Sequence, residues 1–150
     1  MKPADYMELA FAEAEAAGAA GEVPVGAVLV DPASGRVLAQ ARNRTEELAD
    51  PTAHAEVLAI RAGAALMDSP RLPACDLYVT LEPCPMCAGA IAFARLRRVY
   101  YGAADPKGGA VDHGVRLFEQ PTCHHRPEVY GGIGEGEAAE LLREFFQARR

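Results

Sequence analysis

Two short segments of this chain, His54-Ala55-Glu56 and Cys84-Pro85-Met86-Cys87, most restrict its fold and its chemistry. They supply one imidazole, two thiols and one carboxylate, and Cys84 lies twenty-eight residues after Glu56. One histidine and two cysteines suit zinc, and three protein ligands leave one tetrahedral position open for water. Zinc lowers the pKa of such a water towards neutrality, and a neighbouring carboxylate can carry its proton. The pattern therefore predicts a hydrolytic zinc site with these ligands and this acid–base group: His54, Cys84 and Cys87, with Glu56 as the catalytic residue.

The chain must bring the two segments together, and their local spacing indicates how. Cys84 and Cys87 are three residues apart at the expected start of a helix, which places both on one face near the positive end of the helix dipole. His54 and Glu56 are two residues apart, and in a first helical turn both side chains can reach a site beyond the helix end. We therefore expect two helix N-termini to face one metal ion at the strand–helix junctions of an open α/β sheet.

Two other uses of these residues stay open. A fourth ligand would close the zinc site and make it structural, and the candidates are Cys75, Cys123, His113, His124 and His125. The two cysteines could instead form a redox pair. Neither alternative gives a role to Glu56, so an open zinc site is favoured. For Cys123-His124-His125 itself, a flexible polar loop is favoured over a second metal site.

The length and charge of the chain bound its class. A chain of 150 residues fits one domain with a single core, so residues 1–150 are predicted to form a single domain. No apolar run approaches the ~20 residues of a membrane span, and the first eight residues lack the apolar segment of a signal peptide. A Cys-x-x-Cys pair without a secretory signal indicates a reducing compartment. We therefore expect a cytoplasmic protein that makes no contact with membranes.

The charge distribution bears on nucleic-acid binding. The net charge of −6 argues weakly against it. However, residues 89–150 hold nine Lys and Arg against eight Asp and Glu, whereas residues 1–88 hold six against thirteen. The second half could therefore carry a local basic patch, although solvated surface arginines explain the same composition.

Hydrophobic periodicity predicts strands that alternate with helices, which is typical of an α/β fold with one hairpin followed by parallel βαβ units. The predicted helices cover residues 3–20, 52–67, 83–96, 112–118 and 137–149, and the predicted strands cover 23–31, 36–42, 76–82 and 98–102. The second helix is expected to bury one face, formed by Ala55, Leu58, Ala59, Ala62, Ala65 and Leu66. The third helix is apolar almost all round, which indicates that a second subunit covers it.

The metal-ligand segments belong to a wider pattern that runs from Ala4 to Arg150. It comprises Glu22–Val30, Asn43-Arg44, Asp50–Glu56, Tyr78–Ala90, Tyr101–Ala103, Asp105–Gly109, Phe145-Phe146 and Arg149-Arg150. The signature of His54 and Glu56 followed by Pro83, Cys84 and Cys87 resembles the cytidine and deoxycytidylate deaminase superfamily. The remaining segments resemble one of its families, the bacterial tRNA-specific adenosine deaminases.

This resemblance implies a three-layer α/β/α cytidine-deaminase-like fold with a mixed, mostly parallel five-stranded central sheet. It implies conversion of adenosine to inosine at the wobble position of a tRNA anticodon, one Zn²⁺ per subunit, and a homodimer that binds the anticodon stem-loop across both subunits. Glu56 would take a proton from water and deliver protons to the ring and to the departing ammonia. Asn43 would hydrogen-bond the flipped base. The implied substrate-binding residues are Asn43, Val25, Ala27, Ala55, Asp105, Lys107, His125, Arg126, Phe145, Arg149 and Arg150.

Two further functions stay open at this point. A deaminase of a free base or nucleoside, such as guanine, would use the same zinc ligands, and Pro85 is also frequent in the related guanine deaminases. A non-catalytic, zinc-stabilised RNA-binding module would need the zinc ligands but not Glu56.

Overall fold

A computed structural model describes residues 1–149, and its centre is one five-stranded sheet. The strands are β1 (Gly26–Asp31), β2 (Arg36–Arg42), β3 (Asp76–Leu81), β4 (Arg98–Ala103) and β5 (Glu128–Tyr130), in the order β2-β1-β3-β4-β5. Strand β1 is antiparallel to both its neighbours, whereas β3, β4 and β5 are mutually parallel. Only β1 therefore runs against the other strands of the sheet, and the predicted mixed five-stranded sheet is confirmed.

Helices cover both faces of the sheet, as the three-layer prediction requires. They are α1 (Pro3–Ala19), α2 (Thr45–Leu48), α3 (Ala55–Met67), α4 (Pro85–Ala94) and α5 (Glu135–Gln147), with a 3₁₀ turn at Leu117–Glu119. Successive residues of a strand face opposite sides of the sheet, so Leu29 joins the core beneath α3 and α4, while Val28 and Val30 join the core beneath α1 and α5. Among the helices of residues 1–149, none has both the length and the apolar character that crossing a bilayer requires.

Three elements differ from the sequence prediction. Strand β5 and helix α2 lie in segments that were predicted as loops. The predicted helix at 112–118 is instead the 3₁₀ turn at Leu117–Glu119. Each of these elements has at most four residues, which is too short for a periodic pattern to show.

The buried face of α3 also differs from the predicted one. Ala55 and Ala59 are buried as expected, but Glu56 and Gly63 complete the face, and Leu66 is 49% exposed. At Gly63 the helix lies close to β1, since a Cβ atom there would lie 2.2 Å from Leu29 Cδ2. Glu56 is seven residues earlier, on the same face of α3, and is buried with Gly63.

Candidate active site

The three predicted zinc ligands meet where two helices begin. His54 is the N-cap of α3, Cys84 is the N-cap of α4, and Cys87 lies in the first turn of α4. His54 Nδ1 is 3.6 Å from Cys84 Sγ and 3.5 Å from Cys87 Sγ, and all three ligand atoms lie within 4.8 Å of one another. Tetrahedral zinc with Zn–N and Zn–S bonds of usual length separates nitrogen from sulfur by about 3.6 Å. The donor set and its spacing therefore fit zinc.

The surroundings of this cluster do not supply a fourth protein ligand. Among residues 1–149, the potential metal-binding group consists of His54, Cys84 and Cys87 alone. Of the other candidates, Cys123 Sγ donates a hydrogen bond to the His125 carbonyl and His125 Nε2 donates to the Leu96 carbonyl. The closed structural site and the second metal site thus find no support in the part of the chain that the structure describes.

The electrostatics of the cluster favour thiolate. The hydrogen bond from the Cys87 thiol and the contact with the His54 ring lower the pKa of Cys84 to about 4. The Cys84 thiolate and burial raise the pKa of Cys87. Both cysteines lie at the positive end of α4, which stabilises negative charge on sulfur. These contacts therefore favour, at Cys84, the ionised form that metal binding requires.

Glu56 lies in the first turn of α3 and is 4% exposed. Burial raises the pKa of Glu56 to about 7, and the negative charge of Cys84 acts in the same direction. The positive charge of a bound zinc ion would act in the opposite direction. A buried carboxyl group beside the candidate metal ligands is placed to accept and donate a proton, as general acid–base catalysis requires.

A cavity of about 250 Å³, open to solvent, lies against these residues. It is smaller than the pockets that hold drug-sized ligands, so it suits a small ring at most. The cavity is lined by Val23, Val25, Asn43, Thr45, His54, Glu56, Leu81, Glu82, Cys84, Asp105 and Gly108. Asn43 Oδ1 accepts a hydrogen bond from the Ala55 N–H at 2.8 Å. Its amide nitrogen has no hydrogen-bond partner within residues 1–149, so it can donate to a ligand in the cavity.

The structure brings some of the predicted substrate-binding residues to this cavity and places others outside it. Val25, Asn43 and Asp105 line the cavity. Ala27 and Ala55 are fully buried, and the N–H of Ala55 is taken by Asn43. Lys107 is exposed on the loop after β4, where its N–H donates to Asp105 Oδ1.

The remaining predicted residues lie on other surfaces. The side chain of His125 donates to the Leu96 carbonyl, and Arg126 Nε donates to the Phe118 carbonyl. Phe145 lies on α5, and Arg149 follows that helix. The guanidinium carbon of Arg149 lies 3.5 Å from the centre of the Phe145 ring. Arg150 lies outside the described residues.

Two buried glutamates beside the cavity had no role assigned from the sequence. Glu22 accepts hydrogen bonds from Thr45 Oγ1 and from the N–H groups of Glu46 and Glu47, so it holds α2. Glu82 follows β3 directly and has a fully buried side chain. Burial opposes ionisation of Glu82, but hydrogen bonds from the Asp105 N–H, the His113 ring and further N–H groups outweigh it and hold its pKa below the usual value. For Glu82, the signal available in the sequence was a charged residue directly after an apolar strand.

Comparison with known proteins places the chain among zinc-dependent deaminases. Residues 1–103 match the family described as the cytidine and deoxycytidylate deaminase zinc-binding region. The tRNA-specific adenosine deaminase of Agrobacterium fabrum is 61% identical over 145 residues, which cover 97% of this chain and 94% of the relative. The enzyme of the same description from Rickettsia bellii is 45% identical over 144 residues, which cover 96% and 99%.

Solved structures give a corresponding result. A structure from a study of A-to-I editing by tRNA:A34 deaminases at the wobble position of tRNA superposes with a TM-score of 0.89 at 62% identity, covering 92% of this chain and 99% of that one. A guanine deaminase from Nitrosomonas europaea superposes with a TM-score of 0.78 at 26% identity, covering 96% and 84%. The fold is thus shared with both kinds of enzyme, while the sequence is far more similar to the tRNA deaminase.

Proposed function

Because the chain belongs to the cytidine and deoxycytidylate deaminase family, we propose that it hydrolyses adenosine to inosine and ammonia at the wobble position of a tRNA anticodon. The open three-ligand centre beside Glu56 is the observation that supports hydrolytic deamination as the type of reaction. The relatives named tRNA-specific adenosine deaminase, whose similarity extends over nearly the whole chain, support the substrate.

The residues around the cavity can divide the reaction between them. His54, Cys84 and Cys87 would hold a zinc ion, which would supply the Lewis acid for hydrolysis. Glu56 would accept a proton from the attacking water and pass it to the purine ring. It would then take the second proton from the hydroxyl group added to the ring and pass it to the departing ammonia as the C–N bond breaks. Asn43 is fixed by its bond to the Ala55 N–H, so its amide nitrogen can donate to the flipped base.

The rival function is deamination of a free base or nucleoside. The shared fold with a guanine deaminase favours testing guanine first. Purified protein should be incubated with unmodified tRNA, guanine, cytidine and adenosine, with ammonia release measured in each case. We expect release from tRNA alone, and sequencing should show that the wobble adenosine now pairs as guanosine. Release from guanine without change in the tRNA would overturn the proposed substrate.

A homodimer through α4 belongs to the same proposal. Phe93 on α4 is 80% exposed and Met86 is 37% exposed. Beside Phe93 lies a groove formed by Ala92, Leu117 and Cys123, among others. A protruding ring next to an apolar groove is self-complementary in a two-fold arrangement, so a second copy of this chain is the proposed occupant.

Replacing Phe93 with aspartate should therefore convert a dimer into a monomer, because the symmetric interface would bury two new charges, one from each subunit. Light scattering should give a mass of 15.9 kDa for the variant and twice that for the unaltered protein. Leu66→Asp, at a side chain on α3 that is 49% exposed, is the control and should stay dimeric. An unaltered protein that is already monomeric would refute the interface.

Contacts with the RNA backbone are proposed for the end of the chain. Arg149 is exposed and stacks on Phe145, and Arg150 follows it. Removing both arginines should lower the salt dependence of tRNA affinity, since each phosphate contact contributes about 0.7–0.9 to the slope of log K against log salt concentration. Binding titrations over a salt series measure this slope. Arg143→Ala is the control, because Arg143 pairs with Glu140 on the same helix. An unchanged slope in the double variant would count against the contacts.

The proposed location is the cytoplasm. The four cysteines are unpaired, which suits a reducing compartment, and the proposed substrate is found there.

A further inference from the structure

The carboxylate of Glu82 collects hydrogen bonds from a single loop, residues 105–113, which follows β4. Its Oε1 accepts from the Asp105 N–H at 2.9 Å and from His113 Nδ1 at 2.7 Å. Its Oε2 accepts from the N–H groups of Val111, Asp112 and His113 at 3.2, 2.9 and 3.1 Å. An ionised carboxylate can accept about four or more such bonds and donates none, so these bonds occupy all the acceptor positions of the Glu82 carboxylate.

The loop is also shaped to admit this carboxylate. A Cβ atom at Gly109 would lie 2.5 Å from Glu82 Cδ and 2.6 Å from the Asp105 carbonyl oxygen. The Gly109 N–H donates to that same carbonyl, and the next residue, Ala110, donates to the Pro83 carbonyl. The loop therefore closes tightly around Glu82, and only glycine fits at its closest point.

Two residues at the start of this loop, Asp105 and Gly108, line the cavity with Glu56, Cys84 and Glu82 itself. We infer that Glu82 is a positioning residue, whose carboxylate holds the 105–113 loop in the shape that forms this side of the substrate cavity. The inference rests on the proposed function for the identity of the substrate. Glu82 acts through the loop, since its own oxygens are fully occupied by loop donors.

A glutamine at position 82 would test this role at almost constant volume. Both oxygens of Glu82 accept hydrogen bonds from the loop, and in glutamine one of them becomes an NH₂ group. In either orientation of the amide, that NH₂ group would face N–H donors, which would lose their acceptor. We expect the loop to shift while the zinc ligands keep their places at the starts of α3 and α4. A displacement of about 1 Å at a substrate-contacting segment can reduce a rate by about 100-fold.

The other end of the same strand offers a matched control. Asp76 begins β3, its side chain is 3% exposed, and it accepts two hydrogen bonds from Arg97 at 2.9 and 2.7 Å. It does not line the cavity. Asp76→Asn is therefore also a change of a buried carboxylate to an amide, at the opposite end of β3 from Glu82 and away from the loop.

The experiment compares Glu82→Gln, Asp76→Asn and the unaltered full-length protein, all loaded with zinc, at a temperature where each is folded. In Glu82→Gln, amide exchange at positions 111–113 should accelerate by about tenfold or more, and kcat/KM on tRNA should fall by about 100-fold with zinc content unchanged. In Asp76→Asn, the melting temperature should fall while loop exchange and kcat/KM stay within about twofold of the unaltered protein. Gly109→Ala, which disturbs the same contact from the loop side, should act like Glu82→Gln and replaces it if that variant does not fold.

Two results would overturn the inference: unchanged loop exchange in Glu82→Gln, or a loss of kcat/KM in both carboxylate variants that simply follows their melting temperatures. If the unaltered protein does not deaminate tRNA, the proposed function fails instead. The exchange measurement still decides in that case whether Glu82 holds the loop.

Discussion

Replacing Glu56 with glutamine should reduce deamination of tRNA by about 10²–10⁴-fold or more, because general acid–base catalysis contributes roughly this factor. The amide keeps the volume of the side chain but can neither accept the proton of the attacking water nor deliver it to ammonia. Zinc binding should persist, since His54, Cys84 and Cys87 supply the ligand set without Glu56. The unfolding midpoint should not fall, because burial already opposes ionisation of this carboxyl group.

The measurements are ammonia release, inosine content of the tRNA and zinc per chain. Asp76→Asn again serves as the control for exchanging a buried carboxylate for an amide, and it should retain activity. Turnover by Glu56→Gln at the unaltered rate would remove Glu56 from the mechanism. An unaltered protein that binds zinc and RNA but releases no ammonia would instead support the non-catalytic RNA-binding module.

The metal centre could be predicted from the sequence because its spacing is local. Cys84 and Cys87 needed only a helix start to share a face, and that helix begins at Pro85. His54 and Glu56 needed the first turn of a helix, and α3 begins at Ala55, between them. The predicted start at position 52 was too early, because residues 50–53 form a turn in which the Ala53 N–H donates to the Asp50 carbonyl.

Elements that depend on distant partners escaped prediction. Helix α2 is held by Glu22, which lies more than twenty residues earlier in the chain. Strand β5 pairs with β4, and Glu128 on it forms a salt bridge with Arg98 at 2.8 Å. Neither short segment has a periodic pattern of its own. Each is stabilised by residues that are distant in the sequence, so the sequence alone does not identify them.

The roles of Glu22 and Glu82 were hidden for a related reason. Both carboxylates bind mainly backbone N–H groups, and a backbone group leaves no signature in the sequence of the residue that carries it. The RNA contacts expected of His125 and Arg126 stay predictions, as does the organisation of residues 1–150 as one domain. In the structure these two side chains bond to backbone carbonyl groups, a use that their residue types alone do not indicate.

Replacing Cys87 with alanine should abolish both zinc retention and activity. Cys87 is fully buried, and its removal leaves two protein ligands, fewer than the three that catalytic zinc sites use. A zinc ion held by these ligands would connect the N-termini of α3 and α4, so zinc that binds only the folded state would also stabilise it. A strong chelator should therefore lower the melting temperature of the unaltered protein by several degrees. The same chelator should leave the melting temperature of Cys87→Ala unchanged, because no zinc is there to remove.

The other two cysteines provide the controls for this prediction. Cys75 is buried and Cys123 donates to the His125 carbonyl, and neither belongs to the metal-binding group within residues 1–149. Cys75→Ala and Cys123→Ala should retain one zinc per chain, the response to chelator and the activity, at the modest cost of a small cavity. Loss of zinc from either control would reveal a fourth ligand and a closed site. Retention of zinc and turnover by Cys87→Ala would contradict the three-ligand centre. It would also contradict the proposal that zinc held there would activate a water molecule beside Glu56.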